Sequence, residues 1–202
     1  MLLLVTGASG SGKSATLAAV AEKFRTESIA CAEFDSIGVP ADADTEWRHG
    51  AVERWVQHAI GEQLQGRHLI LFGQVPVGEL LAAPSADRLD GIAACLLHCS
   101  PGNRRERLIA RGKREDELAD HLAFGRWFYM HMTDPTYQPE VIKVRTEVPM
   151  RWDRWSAWSA GDRRWSFEVI DTDAITPGQT ADRVAGWIEA TIAGDLPAIR
   201  FP

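Results

Sequence analysis

Gly7, Gly10, Gly12, Lys13 and Ser14 carry the chemistry that is easiest to read in this sequence. With Ala8, Ser9 and Ser11 between them they complete the pattern Gly-x-x-x-x-Gly-Lys-Ser over residues 7–14, the phosphate-binding P-loop. Glycines at these positions let the backbone adopt positive φ and come close to an anion. Successive N–H groups then form a concave nest, and a helix starting near Lys13 adds the partial positive charge of its N-terminus. Lys13 supplies a compact cation for the β- and γ-phosphates, the Ser14 hydroxyl can ligate Mg²⁺, and Thr16 lies just behind them. A surface turn can also be rich in Gly and Ser. Here an apolar run, residues 1–5, precedes the loop and a helix-like run, residues 14–24, follows it, which is the context the motif requires. A nucleoside triphosphate is the expected ligand.

Other groups that could do chemistry are Glu33 and Asp35, which end the next apolar run, and a basic stretch with Arg104, Arg105, Arg107, Arg111, Lys113 and Arg114. Glu33 and Asp35 alternate onto one side of a strand, with Phe34 facing the other way. In an open parallel sheet, ligands sit beyond the carboxyl ends of the strands, so these acids share an edge with the P-loop. The basic stretch follows another apolar run and lies where triphosphate charge must be neutralised. A solvated helix face is the ordinary fate of such a stretch, and phosphate contact by Arg104, Arg107 or Arg111 is the functional expectation. Arg48 and Arg54 lie on a long helix and are candidates for an acceptor anion.

The elements that must position these groups follow from periodicity. Strands are expected over residues 1–5, 28–35, 67–72, 91–98 and 164–170. Helices are expected over residues 14–24, 45–65 with Thr45 as N-cap, 77–83, 115–132, and from Thr176 with Pro177 near the first position. Apolar residues of the second helix include Trp47, Trp55, Val56, Ile60 and Leu64. Those of residues 115–132 include Leu118, Leu122, Phe124, Trp127, Phe128 and Met130. Trp152, Trp155 and Trp158 form a helical stripe, read as a packing seam, or as a dimer interface or planar-ligand surface if exposed. Strand and helix alternate five times, so the expected fold is an α/β P-loop sheet, parallel and five-stranded, with right-handed crossovers.

The 202 residues, 45% hydrophobic and 25% charged, are enough for one core. They are expected to form a single domain over 1–202, with a helical lid and acceptor-site insertion at roughly 101–160. A net charge of −6 argues against nucleic acid as the principal partner. Cys31, Cys95 and Cys99 are odd in number and apolar in setting, which fits buried free thiols in a reducing compartment. The N-terminal run is too short and lacks the basic leader of a signal peptide, and no stretch is long enough to span a membrane. A cytoplasmic protein without membrane contact is expected.

The order of elements, with residues 7–14, the acids Glu33 and Asp35, the arginine-rich segment and Asp171, Thr172 and Asp173, resembles the small P-loop kinases of the nucleoside-monophosphate-kinase-like group. These include shikimate and gluconate kinases and chloramphenicol phosphotransferases. The resemblance covers most of the chain in element order, and its specific motif is the loop at residues 7–14. It implies ATP and Mg²⁺ as cofactors and a small-molecule hydroxyl as acceptor. It implies that Asp35 orients the acceptor hydroxyl or takes its proton, that Glu33 helps hold Mg²⁺ with Ser14, and that Arg104, Arg107 and Arg111 fold over the phosphates as a lid. It places Thr172 and Asp173 near the adenine.

The chain departs from many P-loop enzymes at the third strand, where Phe72 stands in place of an acid that holds Mg²⁺ and Gln74 cannot replace that charge. Trp127, Tyr129 or Trp152 are expected to shape the acceptor pocket. A GTPase is disfavoured because no [NT]-K-x-D tetrad is present, and a ring ATPase by the chain's length. A nucleoside-monophosphate kinase would use Arg48 and Arg54 to grip the acceptor phosphate. A non-kinase switch module would bind the triphosphate without an acceptor.

Overall fold

Leu2, Leu3, Leu4 and Val5 are fully buried, and their side chains alternate between two separate apolar layers. They lie in β1 (Leu2–Thr6), the central strand of a five-stranded sheet in the order β2-β3-β1-β4-β5. Its neighbours are β3 (His68–Gly73) and β4 (Ile92–His98), with β2 (Ile29–Glu33) and β5 (Glu168–Asp171) at the edges. Every pairing is parallel, and Leu4 sits opposite Leu71 on one side and Ala94 on the other. Strands buried on both faces need continuous apolar runs, which is why β1, β3 and β4 lack the alternation of a half-exposed strand. Each fully buried leucine contributes about 1.5–3 kcal/mol. The computed structural model describes residues 1–25 and 28–201.

One face of the sheet is covered by α1 (Lys13–Lys23) and α6 (Pro177–Ala193), through Val20, Val184, Ala185 and Ile188. The other is covered by α2 (Thr45–Leu64), α3 (Val77–Ala82) and α5 (Glu115–Thr133). A further helix, α4 (Pro101–Ala110), starts where β4 ends and lies against α5. The α6 start follows its sequence signature. Thr176 Oγ1 accepts from Gln179 N at 3.2 Å, the Gln179 side chain returns the bond to Thr176 N at 2.9 Å, and Pro177 takes the first helical position.

Several local expectations are corrected. Asp44, not Thr45, caps α2: its Oδ1 accepts from Trp47 N at 2.9 Å, and a carboxylate suits the positive helix end. Leu64 is turned to solvent, and Met130 lies off the buried face of α5. Asp35 is outside β2, in a 3₁₀ turn over Phe34–Ile37. β5 begins at Glu168 rather than Arg164, because Asp162 accepts from Arg164 N at 2.9 Å and rolls Arg163–Trp165 into a turn that drops Trp165 into the core. Cys99 lies one residue beyond β4, and all three cysteines are free thiols.

The tryptophan stripe is not helical. Only Trp152–Arg154 form a single 3₁₀ turn, and Trp155, Trp158 and Trp165 are buried against one another. Trp155 Nε1 donates to Gly78 O at 2.8 Å and Trp165 Nε1 to His131 O at 3.2 Å, so the rings bury their apolar area without stranding their N–H groups. Residues 101–160 therefore feed the same core as the sheet through Trp127, Phe128, Met132, Ile142 and Trp155. Among the described residues no helix is long and apolar enough to cross a membrane.

Candidate active site

The loop between β1 and α1 has the backbone that its glycines were expected to permit. Gly7, Gly10 and Gly12 have φ of 154°, 82° and 100°. One of these positions also lacks room for a side chain, and another is tight. A Cβ on Gly7 would lie 2.4 Å from Leu97 O, and one on Gly10 would lie 3.3 Å from Arg104 Cγ. Gly12 forms the left-handed N-cap of α1 with no side-chain cap. Among the described residues, no group of the chain accepts from the N–H groups of Gly12, Lys13 or Ser14. Buried Ser11 Oγ also has no partner there. A helix start with unspent N–H donors carries partial positive charge, which favours an anion there.

Lys13 Nζ folds back to donate to Gly7 O at 2.5 Å and Ala8 O at 3.2 Å. Burial, followed by the nearby charges of Arg104 and Arg111, lowers its pKa to about 8, while Asp35 and Glu33 oppose the shift. Lys13 lines a cavity of about 150 Å³ with Ser9, Gly10, Gly12, Ser14, Glu33, Asp35, Phe72, Gln74 and Arg111. Tertiary structure thus brings together the loop, both acids and one arginine. Thr16 stands apart, buried in α1 with Oγ1 donating to Gly12 O at 3.0 Å.

The acids are held there by the 3₁₀ turn after β2. Phe34 is buried, and Trp55 Nε1 from α2 donates to its carbonyl at 2.9 Å. Gly73 at the end of β3 admits that ring, since a Cβ there would lie 2.6 Å from Phe34 Cβ. Thr6 Oγ1, at the end of β1, donates to Val75 O at 2.7 Å and closes the turn after β3. Gln74 Oε1 in that turn accepts from Ser9 Oγ at 3.0 Å, tying β3 to the P-loop.

The arginines of α4 divide by reach. Arg104 is buried beneath the loop, donating to Ser9 O at 2.7 Å and Cys99 O at 3.5 Å. Arg107 donates to Thr172 O at 2.5 Å, Thr172 Oγ1 at 2.8 Å and Gly10 O at 3.3 Å. These two brace the P-loop from its carbonyl side instead of covering it, and Arg111 alone of the three lines the cavity. Arg105 and Arg114 pair with Glu115 and Asp116. Thr172 is buried between Ser11 and His98 carbonyls, at 3.3 and 2.9 Å from its Oγ1. Asp173 Oδ1 accepts from Ser100 N at 2.9 Å, ahead of α4. The resemblance implies that Thr172 and Asp173 lie near a base; in the structure their side chains join β5 to the loop and α4.

Room for the Arg104 guanidinium comes from Gly125 on α5, where a Cβ would lie 2.7 Å from Nε and 2.8 Å from Cζ. Gly125→Ala gains about 1 kcal/mol of helix propensity but must displace a buried, bonded guanidinium. The expected result is a thermal midpoint near that of the parent and nucleotide affinity weakened by about tenfold, since small displacements of a binding group are costly. Titration calorimetry with a nucleoside triphosphate checks it, and unchanged affinity would remove the bracing role from Arg104.

The remaining sequence candidates lie elsewhere. Arg48 is paired with Glu79, and exposed Arg54 has no ion pair among the described residues. Trp127 stacks on His131 with centroids 5.2 Å apart, Tyr129 packs on His98 at 4.1 Å, and Trp152 meets His49 at 5.5 Å. None of the three lines the P-loop cavity. Glu79 escaped the sequence reading because one acid in an apolar helix carries no motif.

Among the described residues no group of three His, Cys, Asp or Glu side chains could hold a metal. The cavity instead offers Ser14, Glu33 and Asp35, an all-oxygen set. That set fits Mg²⁺, which is bound through one or two carboxylates, water and substrate phosphates more often than by a protein cage.

No protein-family model matches the chain, and no curated sequence does. Solved structures do match it. A sugar kinase from Janibacter sp. HTCC2649 aligns at 16% identity over 95% of this chain and 96% of that one, with a TM-score of 0.54. The tunicamycin resistance protein of Deinococcus radiodurans aligns at 15% identity over 100% and 98%, also with a TM-score of 0.54. Together with the parallel sheet and the glycine loop at the end of β1, these similarities establish the fold, a five-stranded parallel α/β P-loop fold shared with these proteins.

Proposed function

We propose that this protein is an ATP- and Mg²⁺-dependent kinase that transfers the γ-phosphoryl group to a hydroxyl of a small molecule. The observation that carries the proposal is the convergence of Lys13, Ser14, Glu33, Asp35 and Arg111 on one cavity. Phosphoryl transfer asks the protein for in-line positioning and charge neutralisation more than covalent chemistry. The free N–H groups of the loop bind the phosphates, and Lys13 turns from Gly7 O and Ala8 O to meet the β- and γ-oxygens. Arg111 adds a second cation at the transferred group. Ser14, with Glu33 or Asp35, would hold Mg²⁺, which when bound neutralises phosphate charge. Asp35 orients the acceptor hydroxyl and takes its proton.

Asp35→Asn keeps the shape of that side chain and removes its basicity. Turnover is expected to fall by about 10²-fold with ATP affinity unchanged. The assay is acceptor-dependent ADP release with ATP and Mg²⁺ over a panel of sugars, sugar acids, nucleosides, hydroxylated antibiotics and nucleoside monophosphates. Full turnover by Asp35→Asn on the responding acceptor would remove the base assignment. Tight ATP binding without turnover on any acceptor would favour a regulatory nucleotide-binding module. The pairing of the Arg48 guanidinium with Glu79 weighs against the monophosphate-kinase alternative, which would need it at an acceptor phosphate.

A further inference from the structure

Away from the P-loop, a cavity of about 730 Å³ lies beside the N-terminal half of β4. It opens between Ile92–Ala94, the segment that precedes β5 and the C-terminal tail. That tail is pinned by an antiparallel bridge, with Ile92 N donating to Ile199 O at 2.9 Å and Ile199 N to Ile92 O at 2.8 Å. β5 pairs with β4 only from Cys95 onward, so the first residues of β4 have no β5 partner and the cavity occupies that gap. It shares no lining residue with the P-loop cavity, which sits at the opposite, carboxyl end of the strands.

Its volume falls within the range of small-molecule sites, and its walls have their composition: Trp158, Phe167, Trp187 and Phe201 supply aromatic surface. Four arginines also line it, in a protein whose net charge is −6. Two of them are already engaged. Arg154 donates to Leu81 and Pro84 carbonyls, pairs with Asp87 and lies over the Phe201 ring. Arg164 pairs with Asp162 and lies over Trp158. Arg163 and Arg200 have no hydrogen bond, ion pair or ring contact among the described residues. One acid, Glu168, also faces the cavity.

From this pairing of an aromatic hollow with two unengaged guanidinium groups, we infer that the cavity is a second binding site for a small organic monoanion with an apolar aryl or acyl body. The apolar body would displace water from Trp158, Phe167 and Phe201, and a carboxylate or sulfonate would take charge-assisted bonds from Arg163 and Arg200. Glu168 disfavours a more highly charged head. Occupation would hold the C-terminal tail against β4, because Phe201 and Ile199 are part of the wall.

The test uses the full chain and two probes, anilinonaphthalene sulfonate by fluorescence and decanoate by calorimetry. Both are expected to bind saturably at one site, to bind Lys13→Ala equally well, and to remain bound in saturating ATP. The double variant Arg163→Gln/Arg200→Gln, at exposed positions, is expected to keep its near-ultraviolet circular dichroism and weaken both probes by about tenfold or more. Competition by ATP, absence of saturable binding by either probe, or affinity in the folded double variant within twofold of the parent would each overturn the site. Binding that requires lipid vesicles or a second copy of the chain, with none by the free anions, would overturn it as well.

Discussion

Lys13→Ala is expected to lower acceptor-dependent kcat/KM by about three orders of magnitude and to leave the fold intact. A cation that meets charge developing on a transferred phosphoryl group acts in a water-poor site where nothing else replaces it quickly. The loop's N–H donors and the start of α1 are backbone features, so nucleotide binding should be weakened by the substitution but not lost. Stability should not fall, for a reason in the titration of Lys13. Its pKa is lowered to about 8 in the folded chain, so charging it opposes folding. That cost is fully present below pH 8, fades as pH rises toward the ordinary lysine value of 10.5, and is absent from the alanine variant. Parent stability should therefore gain on that of Lys13→Ala between pH 8 and 10.5 in denaturant titrations, while nucleotide affinity of the parent declines over the same interval as the ammonium discharges. A variant with parental turnover would separate this loop from catalysis.

Arg48→Met is expected to be the most destabilising single change that spares the P-loop. Glu79 is wholly buried on α3, and its carboxylate receives Arg48 Nε at 2.8 and 3.0 Å and Nη2 at 2.7 Å. His49 Nε2 stands 3.5 Å from the same carboxylate, and His49 Nδ1 is 3.0 Å from Thr146 Oγ1. Without Arg48 a buried carboxylate has only a histidine nearby, a loss of about 3–5 kcal/mol. For a chain of this size that is a fall in Tm of roughly 6–20 °C. Replacing both partners, Arg48→Met with Glu79→Leu, removes the orphaned charge as well and should recover most of the loss. Thermal unfolding of the two variants decides the point. If Arg48→Met keeps parental stability, the guanidinium is free to serve an acceptor, and the monophosphate-kinase alternative regains its ligand.

The pair also illustrates what could not be read in advance. An arginine at the start of a long helix after Asp35 looks like a ligand for an anion, and it is one, but the anion is a side chain 31 residues away. Arg104 and Arg107 were expected to fold over the phosphates as a lid, yet their partners are Ser9 O, 95 residues off, and Thr172, 65 residues off. The basic stretch forecasts position along the chain and cannot say whether a guanidinium points over the loop or under it. Trp152, Trp155 and Trp158 recur every three residues, but only Trp152–Arg154 form a single 3₁₀ turn, and Trp155 and Trp158 are buried by packing on Trp165, so their spacing carried no helix.

Alone, the sequence determined the P-loop, the strand–helix alternation and the buried character of β1, β3 and β4. Each depends on residues within a few positions of one another: glycines that permit positive φ at Gly10 and Gly12, runs apolar on both faces, and caps such as Thr176 with Gln179. Tertiary structure decided the strand order, the pairing of Glu79 with Arg48, the use of two arginines as braces, and the hollow between β4 and the C-terminal tail. Those features arise where chain segments far apart in sequence meet, and the free energy that selects them comes from desolvating charge and filling volume, quantities that no local pattern of residues contains.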